Sequence, residues 1–173
     1  SKRVGLEMEE LRRIEELALE ENTPTENARN VFLVSFYLAG ARISDVLQLK
    51  WTDINNGRLS YIMGKNQKVL SIKVTPKLQV IFNNYESKRM NTHAFVLPYL
   101  NADHPLQTDE QHKRVRNANK VINKHLKHIA TLCSIDKPVT MHIARHTFGN
   151  ISGDRIPIQM LQKLYRHSTV TTT

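Results

Sequence analysis

The chain has little that would staple it covalently or seat it in lipid. Its single cysteine, Cys133, excludes an internal disulfide. That residue reads as a small core hydrophobe in a protein of the reducing cytoplasm. No stretch approaches the roughly 20 apolar residues that span a bilayer. The opening Ser1-Lys2-Arg3-Val4-Gly5 lacks the apolar run of a secretory signal. There is no internal repeat, no low-complexity segment and no clear domain boundary, so the 173 residues read as one domain with its own core. A composition of 40% hydrophobic and 24% charged residues is that of an ordinary globular chain.

Acidic residues are also scarce beyond the first helix. Lys and Arg number 25 against 16 Asp and Glu, a formal charge of +9. The acids crowd one place: Glu7, Glu9, Glu10, Glu15, Glu16, Glu20 and Glu21 precede everything else. Residues 111–128, by contrast, carry Lys113, Arg114, Arg116, Lys120, Lys124 and Lys127 with three histidines and no acid. Lysine and arginine release counterions when they neutralise phosphates, so such an excess is the footprint of nucleic-acid binding. Alone, the run fits a solvated helix face equally well. His125 and His128 offer an i,i+3 pair to a zinc ion, but no third or fourth ligand accompanies them, and no metal or other cofactor is expected.

The residue pattern is mainly α with a small antiparallel β-hairpin or sheet. Leu11, Ile14, Leu17 and Ala18 recur at helical spacing over 7–21. Thr23-Pro24-Thr25-Glu26 is a capping box with proline at the first helical position, opening a helix to about Leu38, and Gly40 is its stop. A short helix follows over Ile43–Leu49, then a turn over 53–57. Residues 58–63 and 69–74 alternate with a period near two, and the polar 64–68 joins them. Thr75-Pro76 caps a helix to about Met90, and His93–Leu100 is apolar and extended. A capping box from Thr108 to Gln111 starts the long basic helix that ends near Cys133. The spacing predicts further helices over Met141–Ile151 and from Pro157 to about Tyr165.

Four separated pieces can carry chemistry. Arg42 and Asp45 follow the glycine stop, three residues apart at a helix start, where a plain surface ion pair would be worth little. Lys65 stands at the tip of the hairpin loop. His142 and Arg145 share one face of a helix whose other side is Ile143, Ala144, Thr147 and Phe148. His167-Ser168 closes the set near the end of the chain.

In order and spacing these pieces resemble the tyrosine site-specific recombinases, the family of phage and mobile-element integrases and chromosome-dimer resolvases. Arg42 and Asp45 match the Gly-x-Arg-x-Ser-Glu/Asp-x-x-x-Leu pattern, Lys65 the hairpin lysine, His142 and Arg145 the His-x-x-Arg motif continued by His146-Thr147-Phe148, and His167 the last histidine. The resemblance implies the fold of the DNA breaking-rejoining enzymes. It also implies attack by a tyrosine phenolate on a DNA phosphodiester, giving a 3′-phosphotyrosyl link. Arg42 and Arg145 would hold the phosphate, Lys65 would protonate the leaving oxygen, His142 would assist as acid or base, and His167 would hydrogen-bond the phosphate. Asp45 would buttress Arg42 or a neighbouring histidine; His146 divides evenly between core packing and active-site support. With these motifs, DNA contact is favoured for Lys113, Arg114, Arg116, Lys120 and Lys124.

Two departures matter. In the family the nucleophile follows the last histidine by roughly nine residues, and none of Tyr37, Tyr61, Tyr85, Tyr99 or Tyr165 stands there. Residues 1–173 then correspond to a single catalytic domain without the N-terminal core-binding domain or the nucleophile segment. Such a fragment would be inactive and monomeric alone, whereas the family works as tetramers on synapsed double-stranded DNA. Also, the usual Leu-Gly before the last histidine reads Tyr165-Arg166. An alternative is a non-catalytic DNA-binding protein that retains the fold. Type IB topoisomerases share much of the chemistry but would not show the His-x-x-Arg-His-Thr-Phe run.

Overall fold

The second half of helix α2 (Pro24–Tyr37) is apolar almost all round, and that sends the helix to the middle. Ala28, Val31, Phe32 and Val34 are fully buried on it. The computed structural model describes residues 5–63, 67–89, 94–100 and 108–152. Around α2 pack α3 (Ile43–Leu47), α4 (Pro76–Glu86), α5 (Thr108–Leu132) and α6 (Met141–Ser152). Thr23 caps α2 by accepting the Glu26 N–H at 3.2 Å, with Pro24 at the first helical position. Thr75 and Pro76 repeat the device at α4.

Helix α1 (Met8–Glu16) is shorter than its periodicity predicts. Leu11 and Ile14 are buried, but Leu17 turns extended and Ala18 is exposed. Residues 17–20 are good helix formers, yet intrinsic preference is a weak term. The Arg29 guanidinium takes the Leu17 carbonyl, and the chain must reverse through Asn22, at φ 62°, to begin α2. Tertiary contact wins there.

The β region is a three-stranded antiparallel sheet, ordered β1 (Ile54–Asn55), β2 (Arg58–Met63) and β3 (Lys68–Lys73). The hairpin was expected; β1 stands where only a turn was predicted. Asn56 and Gly57 both take positive φ, the pattern of a tight hairpin turn, so the residues before them pair with those after. Leu59 and Tyr61 face the core, while Ser60 and Ile62 face out. In the 94–100 segment the extended expectation holds only at Phe95, which bridges Lys50; bends and turns follow. The expected final helix over 157–165 lies outside the described residues.

Cys133 is buried in the core, and burial pushes its thiol up. Its carbonyl accepts from the Arg13 guanidinium at 2.6 Å, a cation set on the carbonyl end of α5. Among the described residues no helix is long and apolar enough to cross a membrane.

Candidate active-site cleft

The corner after α2 is built to deliver Arg42. Ala39 and Gly40 both take left-handed φ, 60° and 78°. The buried Ser35 locks the reversal: its carbonyl accepts from Gly40 N at 2.8 Å and Ala41 N at 3.1 Å, and its hydroxyl donates to the Ala41 carbonyl at 2.6 Å. Gly40 is required twice over. Its φ disfavours any side chain, and a Cβ there would meet Arg145 Cα at 2.8 Å. The glycine that reads as a helix stop is therefore also the seat of Arg145. Arg42 follows at the N-cap of α3.

Helix α6 is held from several sides. At its start the Met141 N–H donates to Asn123 Oδ1 of α5 at 2.9 Å. In its middle the buried Thr147 hydroxyl accepts from Leu6 N–H at 2.9 Å, and the Asn150 amide donates to the Leu6 carbonyl at 3.1 Å. Gly5 lies so close that a Cβ on it would stand 2.6 Å from the His146 carbonyl carbon. Ile143, Ala144 and Thr147 are buried behind the helix, and the Phe148 ring meets Phe36 edge to face at 5.9 Å. What remains at the front is His142, Arg145 and His146. The two histidines are one turn apart, with Nε2 atoms 3.3 Å from each other and ring centroids at 5.0 Å.

Arg42, His142 and Arg145 line one cleft of about 420 Å³, together with Ser44, Asn119 and Asn123. Arg42 from the corner after α2 thus shares with His142 and Arg145 of α6, far away in sequence, a space whose basic lining suits an anionic group. His146 adjoins this group through His142. Asp45 is buried on α3. Tyr61 of β2 lies near enough to feel both sides: burial and the Asp45 carboxylate push its hydroxyl up, and Arg145 pulls it partway back. Lys65 and His167 lie outside the described residues, as does Tyr165.

The other tyrosines in the described residues are committed elsewhere. Tyr37 donates to Glu15, and Tyr85 donates to Asn27 Oδ1 at 2.6 Å. Burial, first of all, raises the hydroxyls of Tyr37, Tyr85 and Tyr99. None has the accessible, easily ionised hydroxyl a nucleophile needs.

On α5 the cations split. At about 100° per residue, Arg116, Lys120, Lys124 and Lys113 continue outward from the flank that carries Asn119 and Asn123, and all four are exposed. Arg114 is exposed on the other flank, the one from which His125 reaches Thr25 Oγ1 at 3.1 Å. That contact ties His125 to α2. Val115, Ile122, Leu126 and Ile129 form the buried stripe between the flanks.

Sequence reasoning missed Asn119, Asn123, Ser44 and Tyr61. One signal was available for the first two. Asparagine is a poor helix-interior residue because its amide competes for backbone groups. Asn117, Asn119 and Asn123 inside one continuous helix are therefore an anomaly, and two of them line the cleft.

A model of the phage integrase family matches residues 6–173. The chain belongs to that family. Among curated proteins this integrase chain is 30% identical over 147 residues to a relative named as an integrase/recombinase, y4eF, of Sinorhizobium fredii, covering 83% of the chain and 54% of the relative. It is 25% identical over 143 residues to the tyrosine recombinase XerC of Rickettsia prowazekii, covering 82% and 44%. The chain thus spans about half the length of the curated relatives it matches. Of solved structures, the lambda integrase catalytic core superposes with a TM-score of 0.58 at 18% identity, covering 95% of this chain and 92% of that one. The XerA recombinase gives 0.64 at 19% identity, covering 99% and 59%. The fold of this integrase chain is that of these catalytic domains: helical, with a small antiparallel sheet.

Proposed function

We propose that the chain is the catalytic domain of a tyrosine recombinase, which breaks and rejoins duplex DNA through a 3′-phosphotyrosyl intermediate in integration or recombination. The observation that carries this is the convergence of Arg42, His142 and Arg145 on one cleft. A phosphodiester under attack gathers negative charge on its non-bridging oxygens. Two planar, permanent cations suit that charge, each able to hold oxygens through a donor fork. Charge fixed in advance is commonly the largest catalytic term; one such donor is worth roughly 3–4 kcal/mol in a measured case.

The remaining roles follow the family resemblance. Lys65 protonates the leaving 5′-oxygen, and His167 hydrogen-bonds the phosphate. His142 assists proton transfer. Asp45 and His146 support the groups beside them rather than touching DNA. The nucleophile is a tyrosine beyond residue 173, so this stretch alone forms no adduct and is monomeric. In the proposed chemistry positive charge comes from side chains rather than from metal ions. A tetramer on synapsed duplexes is the working assembly, a reading supported by structural neighbours described as integrase dimers on a core site and a tetramer on a Holliday junction. The buried lone thiol suits work in a reducing cytoplasm.

The test is to extend the chain past Thr173 along its own reading frame and offer it a nicked duplex that traps the covalent intermediate. The extended protein should form a protein–DNA adduct on a denaturing gel, and Arg145→Ala should abolish it while duplex binding largely survives. An undiminished adduct in that variant would remove Arg145 from catalysis. No adduct from any extension, with binding intact, would favour a non-catalytic DNA-binding relative instead.

A further inference from the structure

Asn119 and Asn123 sit four residues apart on α5, and both line the cleft with Arg42, His142 and Arg145. Hydrogen bonding settles which end of each amide faces which way. The Met141 backbone N–H can only donate, and the Asn123 atom it meets at 2.9 Å must therefore be the carbonyl oxygen. The nitrogen of the same amide is then the atom directed to Asn119, where it donates to Oδ1 at 3.4 Å. With its oxygen so engaged, Asn119 has its NH2 group to offer. Among the described residues no acceptor takes those two donors.

We infer that Asn119 is a phosphate-contacting residue of this cleft, a neutral double donor whose orientation is set through Asn123 by the start of α6. The inference rests on reading the cleft as a phosphodiester site. Its physical sense is that a transferring phosphoryl group has more oxygen lone pairs than two guanidinium groups satisfy. Another lysine or arginine there would add repulsion among cations already close together, whereas an amide adds donors without charge. Asparagine has a short side chain, so holding it costs less rotamer entropy than holding a lysine. The relay also fixes Asn119 relative to His142 and Arg145, because the residue that orients it is the one that caps their helix.

The experiment uses this chain with ¹⁵N-labelled asparagine and inorganic phosphate as the probe, against sodium chloride of equal ionic strength. The Asn119 side-chain NH2 signals should move and saturate with phosphate. Asn119→Ala, which favours the helix, should weaken phosphate binding roughly 10- to 100-fold, the loss of one hydrogen bond to a charged group. Asn119→Asp, which puts a carboxylate where the donors were, should abolish it. Thermal melts of both variants check that the fold is intact. Arg145→Ala serves as the reference for the cleft itself. Asn119 signals that stay still at saturating phosphate, or unchanged binding in both Asn119 variants while Arg145→Ala is weakened, would overturn the inference and leave the cleft reading standing. Unchanged binding in Arg145→Ala as well would overturn both.

Discussion

Helix α6 and the outer face of α5 are both polar surfaces next to the same cleft, and they are made in opposite ways. The groups at the front of α6 are backed by Gly5, Leu6, Gly40 and Asn123, which reach the helix from three separate parts of the chain. Arg116, Lys120 and Lys124 stand in solvent on the face of α5 that points away from its buried stripe and from the flanks that bond α2 and α6. The difference matches two physical demands. Stabilising a transition state needs donors held within about half an ångström of the right place. Attracting a phosphate backbone needs only charge, whose reach in physiological salt is near 8 Å. The fold spends its buried hydrogen bonds where position decides the outcome and leaves the long cations free to adjust.

If that contrast is right, the most damaging change to the cleft should be one that touches no ligand. Gly40→Ala forces a side chain into a left-handed backbone and against Arg145 Cα, 2.8 Å away. Overpacking of this kind costs about 1–3 kcal/mol, and the unfavourable φ adds about 1 more. Thermal denaturation should show a fall of roughly 5–15 °C for a chain of this size. Phosphate binding should drop with it, since Arg145 must shift. An unchanged melting temperature would mean the corner is not packed as described. Next comes Thr147→Val, nearly isosteric but without the hydroxyl that accepts from Leu6 N–H. Both residues are fully buried, so the orphaned N–H should cost about 1–3 kcal/mol in urea denaturation. Thr147→Ser keeps the accepting hydroxyl and should lose much less, and equal damage from both substitutions would mean that packing at this buried site, not the bond to Leu6, sets the loss.

The readable and unreadable parts of the sequence divide along the same line. Helix boundaries set by local chemistry were legible: Thr23-Pro24 and Thr75-Pro76 open α2 and α4 where capping requires, and α6 runs close to its predicted span. Arg42, His142 and Arg145 were legible as a motif, though only the fold brings them to one cleft. The end of α1 was not legible, because Arg29, well along the next helix, takes the Leu17 carbonyl. Strand β1 was missed because two residues carry no period; the signal lay in Asn56-Gly57. Asn123 was missed because its importance is a bond to Met141, 18 residues away. Local signals write themselves into short windows, and the supports of the cleft are non-local.

The smallest expected effects test the other half of the contrast. Lys120→Ala and Lys124→Ala remove exposed cations from a helix surface, so each should leave stability within about 0.5 kcal/mol of the parent. Each should weaken duplex binding and lower the slope of log affinity against log salt by about 1, the signature of one lost phosphate contact. Arg114→Ala is the control. It removes the same charge from the same helix two residues before Arg116, yet from the flank that leads toward α2 rather than toward Asn119 and Asn123. If duplex DNA lies across the cleft, its phosphates meet one flank only, and the Arg114→Ala salt slope should match the parent. Equal slopes lost at 114, 120 and 124 would mean that net charge, not the facing of α5, governs binding, and the division of labour between the two helices would lose its electrostatic half.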